Sequence, residues 1–202
     1  MRRVIVADNG SSDGTAEAAG ARGAVVVSEP RRGYGAACLA ALEWIEQAGD
    51  PPDVVAFLDA DLADDPAALG LVLAPLEAGE ADLVIGSRVR RAAPGALNPA
   101  QRFGNRLACA MMAVLGGRRF SDLGPFRAVR WAALERLAMA DRTWGWTVEM
   151  QMKAAILAVP TAEVDVPYRR RRGGRSKIII TILALWWRRG AIAAADRARR
   201  GR

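Results

Sequence analysis

Val54-Val55-Ala56-Phe57-Leu58-Asp59-Ala60-Asp61 is an apolar run that ends in two carboxylates one residue apart, and the fold class turns on how it is understood. A run of Val, Ala, Phe and Leu without polar alternation predicts a strand covered on both faces, as in a parallel sheet sandwiched by helices. Such strands present chemistry at their carboxyl ends. Asp59 and Asp61 at this tip, followed by Asp64, Asp65 and Pro66, repel one another unless a cation sits among them, and Mg²⁺ or Mn²⁺ carrying a diphosphate is the simplest partner. The structural alternative is that Asp61, Asp64 and Asp65 cap and charge the start of a helix over 66–78.

Composition narrows the chemistry further. A chain of 202 residues with 51% hydrophobic content can bury one sizeable α/β core, and a single domain over 1–168 is expected. The absence of any histidine excludes His-based triads, His metal sites and imidazole acid–base catalysis. Cys38 and Cys109 both fall in Ala/Leu-rich helical patterns, which predicts buried thiols and supports neither a disulfide framework nor zinc. Residues 168–202 carry a net charge of +11 and the remainder −4. A basic segment over 169–202 on a faintly acidic body suits an anionic surface, either phospholipid head groups or nucleic acid. Met1-Arg2-Arg3 leads directly into Val4-Ile5-Val6 without the apolar stretch of a signal peptide, so a cytoplasmic protein is expected.

In chain order the pattern alternates strand and helix. Arg3 to Ala7 predicts a short buried strand running into Asp8-Asn9-Gly10-Ser11-Ser12-Asp13-Gly14-Thr15, a turn and helix start in which Ser12 or Asp13 can accept from free helix N–H groups. Turn chemistry does not account for Asp8, a carboxylate at a strand end where a base or ribose can be read. Ala24 to Ser28 predicts a second strand. Arg31, Arg32, Gly33 and Gly35 before a helix over 36–47 suggest a phosphate contact at a helix N-terminus. Residues 81–88 predict another buried strand with Arg88 at its tip, and Arg88, Arg90 and Arg91 are either a solvated loop or anion clamps. A packing helix over 98–115 closes at Gly116-Gly117. Residues 120–127 form a loop bringing Asp122 and Arg127 near a short strand, a helix runs to Ala158 with Glu149 in its first turns, and Glu163 to Val166 predicts a last strand.

Six ordered motifs carry a family likeness: DNGSSDGT at 8–15, FLDADLADDP at 57–66, GSR at 86–88, SDLGPFRAV at 121–129, GWTVEM at 145–150 and RRRRGGRSKI at 169–178. Together they resemble glycosyltransferase family 2, and within it the dolichyl-phosphate mannose synthases and bacterial polyprenyl-phosphate glycosyltransferases. The resemblance implies a GT-A fold, a Rossmann-like nucleotide-diphospho-sugar α/β sheet with helices on both faces. The family begins with a strand–helix unit that this chain does not show, so strand 3–7 is expected to lack a parallel neighbour. By the likeness, Asp8 contacts the nucleotide base, with Gly10, Ser11, Asp13, Gly33 and Arg88 as further nucleotide-sugar-binding candidates. Asp59 and Asp61 are the implied metal ligands, and Asp61, Arg127 and Glu149 the catalytic candidates. Arg175, Ser176 and Lys177 match an acceptor-side basic motif, while Pro125 stands where the family often has glycine.

The implied reaction is an inverting transfer of a hexose from a nucleotide sugar, of the GDP-mannose or UDP-glucose type, to a polyprenyl phosphate. That acceptor has a second pKa of about 6, so it is already a nucleophile at neutral pH without a strong base. The partners expected are the nucleotide sugar, the lipid phosphate and an anionic membrane on its inner face, with no nucleic acid. Three alternatives stay open. One is a soluble acceptor, and another is an inactive binding module docked by its basic tail. A nucleotidylyltransferase is disfavoured by the lack of a Gly-rich loop with a Lys after the first strand. The run Ile178 to Trp187 is too short to span a bilayer, which takes about 20 residues, and is read either as an interfacial segment or as an ordinary packed helix.

Overall fold

β1 (Ile5–Asp8) and β2 (Val25–Ser28) pair in parallel, with Ile5 opposite Val25 and Asp8 opposite Ser28. The computed structural model describes residues 3–170, so Arg175, Ser176, Lys177 and the run 178–187 lie outside the described residues. The chain divides into two compact units. The first comprises residues up to Pro52 together with Met139–Trp146. The second comprises Asp53–Ala138 and the described chain from Thr147 onward.

In the first unit, α1 (Thr15–Gly20) and α2 (Tyr34–Gln47) accompany the two strands. α1 starts after the Gly10–Gly14 turn, where both glycines take positive φ, and Asp13 accepts the Thr15 N–H as the sequence suggested. α2 buries Gly35, Ala36, Cys38 and Leu42. The spacing of 35, 38 and 42 is one helical face.

In the second unit, four strands run in the order β3 (Val54–Phe57), β5 (Arg127–Arg130), β4 (Leu83–Ser87), β6 (Thr161–Asp165). β4 is the buried strand that the apolar run predicted, with all five residues inside, antiparallel to β5 and parallel to β6. β3 departs from expectation. It pairs antiparallel with β5, Val54 opposite Arg130 and Phe57 opposite Arg127, and only Phe57 is buried. Ala56 is exposed and the two valines half-buried, so the run is apolar without being sandwiched. Among the described residues, β1 pairs only with β2 and β3 only with β5, so one edge of each is without a strand partner.

α3 (Leu69–Glu77), entered through a short 3₁₀ turn at Pro66–Ala68, lays Val72 and Leu76 against Val84, Phe126, Ala128 and Val166 to form the core. α4 (Pro99–Gly116) opens on a capping box between Asn98 and Gln101 and buries Gly104, Asn105, Ala108, Cys109 and Met112. Cys109 is the inert thiol its context predicted, and burial pushes it up to about 12. α5 (Trp131–Leu137) and α6 (Trp146–Ile156) complete the helices among the described residues. No helix among the described residues is long and apolar enough to cross a membrane.

Candidate active site

The loop after β3 is built from four carboxylates with different environments. Asp59 and Asp61 are half-buried, and Asp61 Oδ1 accepts from the Ala63 N–H at 2.9 Å. Between them and Asp64 stands Leu62, at φ 60° and 54% exposed. A left-handed leucine with its side chain in solvent is held there by its surroundings, and such outliers concentrate at functional sites. Asp65 alone does what the capping reading proposed, accepting from Ala67 N–H at the start of the 3₁₀ turn.

Asp64 is different. It is 2% exposed, and neither carboxylate oxygen has a hydrogen-bond partner. Burial pushes it up to about 7, with Arg88 opposing and Asp59, Asp61 and Asp122 adding their repulsion. The loop is fixed from outside by the segment after β6. Asp64 forms a bridge with Tyr168, the Arg169 N–H donates to Ala63 O at 2.8 Å, and the Arg169 guanidinium bonds Asp65 at 2.6 Å.

Behind this loop sits a buried ion pair that local sequence does not reveal. Asp122, fully buried, accepts from the Arg88 backbone N–H at 2.8 Å and from Nε and Nη2 at 2.7 Å each. The Arg88 guanidinium stacks over the Tyr168 ring at 5.0 Å, and the Asp122 carboxylate holds it charged, well above its ordinary range. Gly124 makes the approach possible, since a Cβ there would stand 2.1 Å from Gly86 O. Asn105 secures the same loop, donating to Ser121 O and accepting from Leu123 N–H. The sequence offers Arg88 as either a solvated-loop residue or an anion clamp; the structure commits its Nε and Nη2 to the Asp122 carboxylate.

Arg127 is likewise internal. It is fully buried, with donors to Gly124 O, to Thr147 O at 3.1 Å and to Gln151 Oε1 at 3.4 Å. The expectation that it holds phosphate meets a guanidinium spent on carbonyls of the 122–124 loop and of α6. Glu149 is 2% exposed and pairs with Lys153 at 3.1 Å, one helical turn on.

The first unit carries the other candidates. Asp8 is 9% exposed at the end of β1, and its carboxylate accepts from Ser11 N–H at 3.3 Å. Gly10, Ser11 and Asp13 lie exposed on the turn that follows. Asn9, which the sequence showed only as a turn residue, is the clamp of this region: its amide donates to Glu29 O and Arg31 O, and its Oδ1 accepts from Gly33 N–H at 2.8 Å. The α2 N-terminus does not offer the phosphate site that Gly33 and Gly35 suggested. Gly35 N–H donates to Thr143 O and Ala36 N–H to Arg142 O. The glycines serve this backbone approach, because a Cβ on Gly35 would stand 1.8 Å from Asp141 O and one on Gly33 2.0 Å from Arg142 O.

A divalent cation fits the β3 loop on two grounds: an orphaned buried carboxylate beside two half-buried ones, and a loop geometry held against local preference. No three acidic, thiol or imidazole groups converge as a ready cage among the described residues. Two carboxylates completed by substrate phosphates and water are what Mg²⁺-type sites commonly use.

The Glycosyl transferase family 2 model matches residues 2–137. An uncharacterised glycosyltransferase of Mycobacterium tuberculosis is 37% identical over 192 residues, covering 91% of this chain and 84% of its own. An undecaprenyl-phosphate mannosyltransferase of Micrococcus luteus is 28% identical over 186 residues, covering 87% and 75%. Among solved structures, glucosyl-3-phosphoglycerate synthase of Mycobacterium tuberculosis, in complex with Mn²⁺, uridine-diphosphate-glucose and phosphoglyceric acid, superposes with a TM-score of 0.71. It is 24% identical and covers 94% of this chain and 69% of that one, which shows the shared GT-A-like fold.

Proposed function

The chain belongs to glycosyl transferase family 2, and on that premise we propose that it moves a hexose from a GDP-mannose- or UDP-glucose-type donor to a polyprenyl phosphate at an anionic membrane surface. The acidic loop carries the donor half of this reading. Asp59 and Asp61, at the exit of β3 and next to the left-handed Leu62, would hold Mg²⁺ or Mn²⁺ with the donor diphosphate. When bound, the cation neutralises charge on the departing nucleoside diphosphate. Asp8 contributes base or ribose recognition. Arg127 and the Arg88–Asp122 pair act by holding the loops in place, since their hydrogen bonds go to protein groups. Nothing in this chemistry calls for a histidine, because a lipid phosphate dianion attacks without a strong base.

Support for the lipid acceptor comes from α4 and from the basic segment. α4 exposes Phe103 at 68%, Leu107 at 40% and Val114 at 80%, beside the exposed Arg102 and Arg106. No acidic residue occurs between Asp82 and Asp122, so this apolar stripe is framed by arginine alone. That combination suits a helix lying on anionic head groups. Arg175, Ser176 and Lys177 follow in sequence from Arg169, which is bonded to the acidic loop, and are assigned to the acceptor phosphate.

The test is a transfer assay with the full chain, Mn²⁺ and labelled UDP-glucose or GDP-mannose. It offers undecaprenyl phosphate in anionic vesicles in one arm and 3-phosphoglycerate in solution in the other. Label in the organic phase is expected. Label only in the aqueous product overturns the lipid acceptor in favour of a soluble one. No release of nucleoside diphosphate in either arm overturns the enzymatic reading and favours a binding module.

A further inference from the structure

We propose that Asp64 is a positioning residue of the metal–diphosphate site, a buried carboxylate that draws the cation to Asp59 and Asp61 without ligating it. This rests on the reading of that loop given above. Both Asp64 oxygens lack hydrogen-bond partners at 2% residue exposure. Buried polar groups are almost always satisfied, and a buried carboxylate left unpaired is costly.

Relief by movement is blocked. The Asp64 backbone is bridged to Tyr168, and its neighbours Ala63 and Asp65 are both bonded to Arg169. Relief by the nearest buried cation is also incomplete, because Arg88 gives Nε, Nη2 and its backbone N–H to Asp122. Asp59 and Asp61 only add negative charge. A divalent cation held by those two residues answers all three carboxylates at once. Asp64 is not itself assigned as a ligand, since no three such groups converge closely enough among the described residues. Asp64 acts through its charge alone, and removing one nearby negative charge from a partly buried site is expected to weaken cation binding about tenfold or more. Asp64 differs from Asp65, the adjacent residue of the same type, whose carboxylate is occupied by capping and by Arg169.

The experiment titrates Mn²⁺ alone into the full chain by calorimetry at pH 8, for the unmodified protein, Asp61→Asn, Asp64→Asn and Asp64→Ala. Thermal unfolding is followed in EDTA alongside. The expected result has three parts: the unmodified chain binds Mn²⁺, Asp61→Asn loses binding, and both Asp64 variants bind about tenfold or more weakly while unfolding in EDTA at the same or a higher temperature. Asp64 variants that bind Mn²⁺ like the unmodified chain, while Asp61→Asn does not, overturn the role of Asp64 and leave the metal site standing. Variants that both unfold at lower temperature in EDTA overturn it too, by showing a structural carboxylate. No Mn²⁺ binding by the unmodified chain overturns the reading of the loop and this inference with it.

Discussion

Arg88→Ala separates a structural arginine from a ligand-binding one. The substitution removes two charge-assisted hydrogen bonds, from Nε and Nη2 at 2.7 Å, and leaves Asp122 with only the backbone N–H of residue 88 in a fully buried site. Breaking one half of a buried pair costs about 3–5 kcal/mol, because the remaining charge is uncompensated. Loss of the Tyr168 stack, at 5.0 Å, adds to this. For a chain of this size each kcal/mol moves Tm by about 2–4 °C, so a fall of roughly 6–20 °C is expected. Replacing both partners together, Arg88→Met with Asp122→Leu, should recover most of the loss, since neither charge of the pair is then left buried without the other. The assay is thermal and urea unfolding of the two single variants and the double variant, read as a double-mutant cycle. A single-variant loss under about 1 kcal/mol, accompanied by weaker donor binding, would refute the reasoning and return Arg88 to the nucleotide.

Further outcomes follow from other sites. Because burial raises Asp64 to about 7 from an ordinary 3.8, the folded chain holds a proton that the unfolded chain releases between those values. Stability tied to this group is therefore complete below pH 3.8 and lost as pH rises through about 7. At about 1.4 kcal/mol per unit, the difference between the unmodified chain and Asp64→Asn should shift by up to roughly 4 kcal/mol across that window, and a pH-independent difference in urea unfolding would contradict it. Asp8→Ala should raise the donor KM more than it lowers kcat, the mark of lost uniform binding, whereas a large kcat loss at constant KM would place Asp8 in the chemical step. Gly35→Ala should destabilise the first unit by roughly 1–3 kcal/mol through overpacking, because its Cβ would stand 1.8 Å from Asp141 O; unchanged unfolding would contradict that backbone approach.

What was legible in the sequence was what adjacent residues decide. Leu83 to Ser87 lacks polar alternation and is buried throughout. The Asp65–Pro66 start, the Asn98 start and the Gly117 stop stand within a residue or two of the helix ends they predicted. The acidic tip after Phe57 was visible for the same reason. What was not legible depends on partners distant in the chain. Val54 to Phe57 reads alike for a parallel or an antiparallel neighbour, and the neighbour, Arg127–Arg130, arrives about 70 residues later. A charged residue inside a strand gives no local sign of being internal, so Arg127 looked like a ligand-facing cation. Arg88 and Asp122 are 34 positions apart, and nothing around either one advertises the other. Gly33 and Gly35 resembled an anion-binding helix start because the chain that fills it, at 142–143, is over 100 residues away. Asp64 and Asp65 are neighbours of the same type, and only the packing of Tyr168 and Arg169 sets them apart.

The central claim is that the loop after β3 holds a donor diphosphate through a divalent cation on Asp59 and Asp61. Thermal unfolding of the full chain with UDP or GDP, in Mn²⁺ and in EDTA, tests it most directly when Asp61→Asn is run beside the unmodified protein. The expected result is a rise in Tm with at least one nucleotide in Mn²⁺, absent in EDTA and absent in Asp61→Asn. A nucleotide-dependent rise that persists in EDTA or survives Asp61→Asn would contradict the claim, as would no rise with either nucleotide in Mn²⁺.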